Sequence, residues 1–284
     1  MEAMAQRDVR RNVAPRRIVS VRNGSSFERT DRLASEEPME IRAGGPGQEA
    51  AAVAVTMRTP GHDFELAAGF LFTEGLAAGS HEIASVAYCE LPAEEQQYNV
   101  VTVRMTRPFD PEARRRNFYA TSSCGICGKA SMDQLEVRCE HLPSGTTVGE
   151  DVLVGLPATL REAQRIFEQT GGLHAAGLFD TDGTLVSLRE DVGRHNALDK
   201  IVGEALLAGA LPLSERVVMV SGRVSFELVQ KAAMAGVPVI CAVSAPSSLA
   251  VETAERLGMT VVGFLRDGGF NVYSGPERVR MDGP

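Results

Sequence analysis

Between residues 196 and 265 the chain switches repeatedly between two hydrophobic periods, a pattern that few folds accommodate. Helical spacing predicts a helix over 196–208, where Leu198, Ile201, Val202, Ala205 and Leu206 share a face, and further helices over 226–235 and 248–257. Short, nearly continuous apolar runs predict strands at 217–220, 237–243 and 261–265. Strands separated by helices at this spacing require parallel crossover units, with the helices on the faces of a sheet. A hairpin is expected just upstream, with strands at 175–179 and 184–189 around the turn Asp180-Thr181-Asp182-Gly183. The sheet is therefore expected to be mixed and largely parallel.

Upstream the signals are shorter. Thr159-Leu160-Arg161-Glu162 has the capping-box pattern and opens a predicted helix that ends at Gly171-Gly172. A strand over 51–57, a helix over 63–76 capped by Asp63, and strands over 83–91 and 99–105 make a smaller α+β part. A basic helical stretch through Arg114, Arg115 and Arg116 and a helix over 131–137 flank the cysteine-bearing loop between them. The division expected is a disordered basic tail at 1–17, an N-terminal α+β part at 18–120, a cysteine loop and connection at 121–158, and a C-terminal α/β part at 159–284.

The cysteine loop is Thr121-Ser122-Ser123-Cys124-Gly125-Ile126-Cys127-Gly128-Lys129. Two thiols at this spacing can form a disulfide, hold a metal, or act as attacking and resolving nucleophiles. Gly125 and Gly128 free the backbone to present a thiol to a bulky partner. A helix capped by Ser122 or Ser123 and the charge of Lys129 both favour thiolate. The chain has five cysteines, an odd number that argues against a disulfide framework, and no apolar run of the roughly 18 to 20 residues that a membrane span needs. A cytosolic protein is expected. The net charge of −8 argues against duplex nucleic acid as a partner, because such binding rests on neutralised phosphates.

Alternatives remain open at this point. Cys124, Cys127, Cys139 and His141 can be read as four zinc ligands in a binding module, and the Cys-Gly-Ile-Cys turn as a dithiol oxidoreductase. A zinc deaminase fits poorly, since Ser123 stands where its proline is required and no His-x-Glu lies upstream. Cys89 and Cys241 read as core residues, and His174 as either support or site.

Three loops fall at the carboxyl ends of predicted strands: Glu190 to Asn196, Ser221 to Ser225 and Ser244 to Ser248. Each offers helix N-terminal amides, and Arg194 and Arg223 add guanidinium groups suited to phosphate. A ligand with phosphates and a hydrogen-bonding ring fits this inventory. The competing reading is helix capping, with the arginines in structural ion pairs and His195 as a hydrogen-bonded support.

Five motifs occur in order: Thr121-Ser-Ser-Cys-Gly-Ile-Cys-Gly, Glu190-Asp-Val-Gly-Arg-His-Asn-Ala-Leu-Asp-Lys, Ser221-Gly-Arg-Val-Ser-Phe-Glu, Ser244-Ala-Pro-Ser-Ser-Leu-Ala, and Gly263-Phe-Leu-Arg followed by Asn271-Val-Tyr. Together they resemble the FdhD/NarQ family of formate dehydrogenase accessory sulfurtransferases. The resemblance implies a cytidine-deaminase-like three-layer α/β/α sandwich, a cytosolic homodimer, and no resident metal. It implies that sulfur is accepted from a cysteine desulfurase as a persulfide and passed to the molybdenum or tungsten bis(molybdopterin guanine dinucleotide) cofactor of formate dehydrogenase. By analogy Cys124 is the carrier and Cys127 its helper. The cofactor, or GDP in its place, is then expected on Phe264, Leu265, Arg266, Asp267, Gly268 and Gly269. The loop residues Gly193, Arg194, His195, Ser221, Gly222, Arg223 and Ser247 are expected to join them.

Overall fold

The computed structural model of the chain describes residues 12–89, 97–110, 139, 141–142 and 145–281. The basic stretch, the cysteine loop and the helix expected at 131–137 lie outside them.

The described chain opens with a hairpin, β1 (Val13–Arg22) and β2 (Ser25–Ala34), paired antiparallel along its whole length. Asn23 and Gly24 take φ values of 50° and 78°, the left-handed pair that a two-residue turn between strands requires. Residues 13–17, expected in a disordered tail, are therefore strand. The hairpin is mostly solvent-facing, so its flanks lack the apolar alternation by which strands are recognised.

A four-stranded sheet follows, made of β3 (Glu37–Gly44), β4 (Ala51–Arg58), β5 (Ile83–Tyr88) and β6 (Val100–Met105) in the order β4-β3-β6-β5. Helix α1 (Asp63–Thr73) covers it, packing Leu66, Ala67 and Leu71 against Met39, Ile41, Val101 and Val103. Asp63 does not cap this helix. His62 occupies the cap position with φ 58°, and both Asp63 oxygens are held by Arg58, at 3.0 Å from Nε and 2.9 Å from Nη2. The Arg58 side chain is 1% exposed, and a buried guanidinium needs a counter-charge more than a helix needs a cap.

The larger sheet contains β8 (His174–Asp180), β9 (Leu185–Asp191), β10 (Arg216–Val220), β11 (Val239–Ala242), β12 (Thr260–Arg266) and β13 (Gly269–Ser274). Its order is β13-β12-β11-β10-β8-β9, parallel through β10, β11 and β12 and antiparallel at both flanks. Helices α4 (Arg194–Leu207), α5 (Phe226–Met234) and α6 (Ser248–Arg256) lie on one face, against Val218, Val220, Ile240, Ala242 and Val261. The alternate residues Val217, Met219, Val239, Cys241 and Val262 face α2 (Glu150–Ala163). Strands buried on both faces read as continuous apolar runs, which is why β10 and β11 were legible. The architecture is the expected mixed α/β sandwich. A short parallel pair, β7 (Val148–Gly149) with β14 (Val279–Arg280), ties the start of α2 to the end of the described chain.

Helix α2 begins at Glu150, within the stretch expected as connection, and runs through Pro157 to a break at Gln164 before α3 (Arg165–Thr170). Thr159 lies inside it, bonding back to the Gly155 carbonyl at 3.3 Å rather than capping a helix start. Leu153, Leu156 and Leu160 are at most 2% exposed. Burying three leucines stabilises by about 1.5 to 3 kcal/mol each, enough to offset a proline cost of about 3 kcal/mol. The expected stop holds: Gly171 has φ 65° and its N–H reaches the Phe167 carbonyl at 2.7 Å.

The two sheets are joined through α1 and α4, which cross where Gly69 faces Gly203. A Cβ on Gly69 runs into the Asp199 carbonyl, and one on Gly203 into the Glu65 carbonyl.

Candidate functional site

The carboxyl ends of β9, β10, β11 and β12 lie on one edge of the large sheet, and backbone bonds stitch their loops into one surface. Val224 N–H donates to the Ala245 carbonyl at 3.3 Å, Ser247 N–H to the Val224 carbonyl at 3.0 Å, and Phe264 N–H to the Ser244 carbonyl at 3.2 Å. His195 Nε2 meets Ser225 Oγ at 3.1 Å, closing the row at the other end. The starts of α4, α5 and α6 therefore stand side by side. Ser247 caps α6, accepting from Ala250 N–H at 3.3 Å, while Gly193 and Ser225 precede α4 and α5. Adjacent helix N-termini concentrate backbone donors and positive potential, a setting for an anion.

The Glu190-to-Lys200 motif divides between the edge and the interior. Asp191 is fully buried, accepts from Thr59 N–H at 3.1 Å, Gly193 N–H at 2.8 Å and Asn196 Nδ2 at 2.9 Å, and pairs with Lys200 at 2.7 Å. Asn196 also donates to the Met57 carbonyl at 2.8 Å. Glu190 accepts from Ile166 and Phe167 N–H at 2.9 and 2.7 Å, holding the first turn of α3; burial pushes its carboxyl up. These residues shape the loop, and Gly193, Arg194 and His195 are left at the edge.

Arg223 and Arg266 are exposed. The Arg266 guanidinium lies 5.5 Å from the centroid of the Phe264 ring. Phe264 holds φ 52° where the β12–β13 register shifts, and Asp267 and Gly268, at 54° and 76°, make the hairpin turn. A left-handed phenylalanine is strained backbone, the kind that surrounding contacts must hold in place. Leu265, expected beside the cofactor, is instead fully buried against α2, because strand alternation turns it away from the edge.

Three groups complete the electrostatics: His174 and Arg194, which the sequence singled out, and Glu227, which it did not. Glu227 lies 3.5 Å from His195, whose hydrogen bond holds its carboxyl down at about 2. The His174 ring packs beside Gly222, and burial, with Arg194 and His195 nearby, keeps its pKa below the ordinary value. Arg194 Nε is buried with no hydrogen-bond partner among the described residues.

Cys124 and Cys127 lie outside the described residues. Cys139 is buried and His141 exposed, and among the described residues no group of three or more His, Cys, Asp or Glu is placed to hold a metal. Cys241 is buried and its thiol pushed far up by burial, which makes it inert. No described helix is long and apolar enough to cross a membrane.

Residues 34–280 match the FdhD/NarQ family. The chain belongs to that family. The sulfur carrier protein FdhD of Streptomyces avermitilis is 50% identical over 274 residues, covering 94% of this chain and 95% of that one. The sulfur carrier protein FdhD of Anaeromyxobacter dehalogenans strain 2CP-C is 46% identical over 283 residues, covering 96% and 95%. Among solved structures, a candidate formate dehydrogenase accessory protein from Desulfotalea psychrophila superposes with a TM-score of 0.73 at 26% identity, covering 94% of this chain and 99% of that one. The match thus spans nearly the whole of this FdhD/NarQ chain.

Proposed function

We propose that this chain is a cytosolic, homodimeric sulfurtransferase serving formate dehydrogenase. It takes sulfur from a cysteine desulfurase and passes it to the molybdenum or tungsten bis(molybdopterin guanine dinucleotide) cofactor before the cofactor enters the enzyme. The observation that carries the reading is the single edge on which three helix starts, Arg194, Arg223 and the Phe264-to-Gly269 tip stand together. Such an edge suits the diphosphate of a guanine dinucleotide, with charge shared between amides and guanidinium groups. The printed names of the relatives, sulfur carriers and a candidate formate dehydrogenase accessory protein, support the same reading.

The sulfur chemistry falls to Cys124 and Cys127. The Cys124 thiolate attacks the outer sulfur of the donor's cysteine persulfide; the donor S–S bond breaks, its thiolate leaves, and Cys124 carries the persulfide with no net redox change. Attack of the Cys127 thiolate on the inner sulfur then forms a Cys124–Cys127 disulfide and releases hydrosulfide for the cofactor's metal. The two electrons come from the thiol pair, and a cellular dithiol must reduce the disulfide afterwards.

Mass spectrometry after incubation with a cysteine desulfurase and cysteine tests this. One or more added sulfur atoms are expected on the peptide carrying Cys124 and Cys127, with Cys89 and Cys241 unmodified and loading lost in Cys124→Ala. Persulfide confined to Cys139 would sink the relay. Stoichiometric zinc that disappears in Cys124→Ala would favour a zinc-stabilised binding module instead.

A further inference from the structure

Hairpin β1–β2 is a ribbon anchored only at its foot. There Ser35 N–H reaches the Asn12 carbonyl at 2.9 Å, and Arg32 donates to Gln169 of α3 at 3.2 Å. Ten paired residues in each strand, at about 3.3 Å apiece, carry the ribbon roughly 33 Å from end to end. Every residue from 21 to 30 is exposed, and the two strands pair with each other and with no other described strand. A lone two-stranded ribbon is marginal in water, and its open edges invite another chain. It lies ahead of residue 34, where the family match begins.

The three most exposed large hydrophobic residues of the described chain fall on two stripes. Val19 and Val21, at 64% and 70%, share one face of the ribbon, and Val55, at 69%, shares the open face of the small sheet with Met57, at 47%. Each stripe is an i, i+2 pair on a strand, so the two have the same spacing. Strand β4, which carries the second, is an edge of its sheet, and α1 covers the opposite face. The charges match as well. The ribbon holds five arginines against Glu28 and Asp31, a net of +3, whereas residues 35–110, which make the small sheet and α1, hold twelve acids against four arginines, a net of −8. On the facing surfaces Arg17 and Arg32 share the valine side of the ribbon, and Glu40 stands opposite Val55.

We propose that the ribbon is an exchange arm, which reaches from one copy of the chain across the small sheet of a second copy and lays Val19 and Val21 on Val55 and Met57. Burial of the two stripes drives the contact, and the opposite charges steer it. One face of the ribbon carries ten residues. A single arm therefore falls short of the roughly 20 to 30 residues a side of a standard interface, while a two-fold pair, giving one arm and receiving another, reaches it. An anionic lipid surface suits the arm less well, because Glu28 stands within its valine stripe and the chain as a whole carries −8. This arm exchange rests on the homodimer proposed above and assigns its surfaces.

Sedimentation velocity of the full-length protein over a concentration series tests the exchange. Wild type is expected to form a dimer that loosens as salt rises. Val21→Asp on the ribbon and Met57→Asp on β4 should each weaken the dimer tenfold or more, while Phe27→Ser, on the ribbon's other face, leaves it unchanged. Both aspartate positions are exposed within one copy, so thermal unfolding of dilute protein should hardly move; Val19→Asp repeats the test if Val21→Asp fails to fold. Mixing the Val21→Asp and Met57→Asp proteins gives heterodimers with one intact contact, so the mixture should associate more tightly than either variant alone. A dimer indifferent to Val21→Asp and Met57→Asp, or a mixture no tighter than its components, overturns the exchange and leaves the homodimer standing. Wild type that stays monomeric at every concentration removes both, and binding of that monomer to phosphatidylglycerol vesicles, lost in Val21→Asp, would assign the ribbon to a lipid surface instead.

Discussion

His195 brings its ring to Ser225 and to the Glu227 carboxylate, so the residue expected from sequence either among the cofactor contacts or as a hydrogen-bonded support anchors the start of α5. The contact holds Glu227 at about 2, against an ordinary 4.5. A depressed carboxyl pKa stabilises the fold fully above the unfolded value, and the gain fades as pH falls through the folded one. Glu227→Gln is therefore expected to be less stable than wild type near neutral pH, with the two converging as pH falls from 4.5 toward about 2. Urea denaturation along that pH range measures the convergence; an undiminished difference near about pH 3 would mean packing, not charge, is responsible. The neighbouring motif shows how residue type misleads. Asp191, Asn196 and Lys200 are polar and sit in a ligand-like loop, yet their partners are Thr59, Met57 and one another. Nothing in their local spacing could reveal that, because Met57 and Thr59 arrive from more than 130 residues upstream.

Helices α1 and α4 approach until backbone meets backbone, and only glycine at Gly69 and Gly203 allows it. In an exposed helix, alanine for glycine gains up to about 1 kcal/mol of propensity. At this crossing the added methyl group of Gly203→Ala meets the Glu65 carbonyl, and overpacking of this kind costs about 1 to 3 kcal/mol. A net loss of stability is expected, read as a lower urea midpoint at unchanged slope. A midpoint at or above that of wild type would show that the helices can part without loss. At this scale the sequence predicted α4, α5 and α6 to within two residues at each end, since each buries a stripe with helical period. It placed the start of α2 nine residues late, because Gly149 and Pro157 look like a linker until the Leu153, Leu156 and Leu160 stripe is seen against the sheet. Hairpin β1–β2 was missed for the opposite reason: Asn23-Gly24 is a strong turn signal, but strands that bury little carry no alternation to confirm it.

Across the whole molecule, the small and large sheets are connected by buried polar bonds as well as by the helix crossing. Lys200 Nζ donates to the Thr59 carbonyl at 2.9 Å and pairs with Asp191, while Lys231 joins Asp199 at 3.0 Å and Glu74 at 2.9 Å. Removing one member of a buried pair leaves a charge unpaired and typically costs about 3 to 5 kcal/mol. Lys200→Ala is thus expected to destabilise by that order. Because its partners reach both sheets, hydrogen exchange should quicken together in peptides from β3 and from β10. Faster exchange in one sheet alone would show two independent cooperative units. The sequence by itself determined the parallel core, the three loops at its carboxyl edge and the family, because buried strands and their crossover helices write their burial into local periodicity. Only the tertiary structure decided which polar residues of those loops stand at the open edge and which lock the sheets together. It also revealed the glycine crossing of α1 and α4. Each of these depends on contacts between residues far apart in the chain, and no local pattern encodes them.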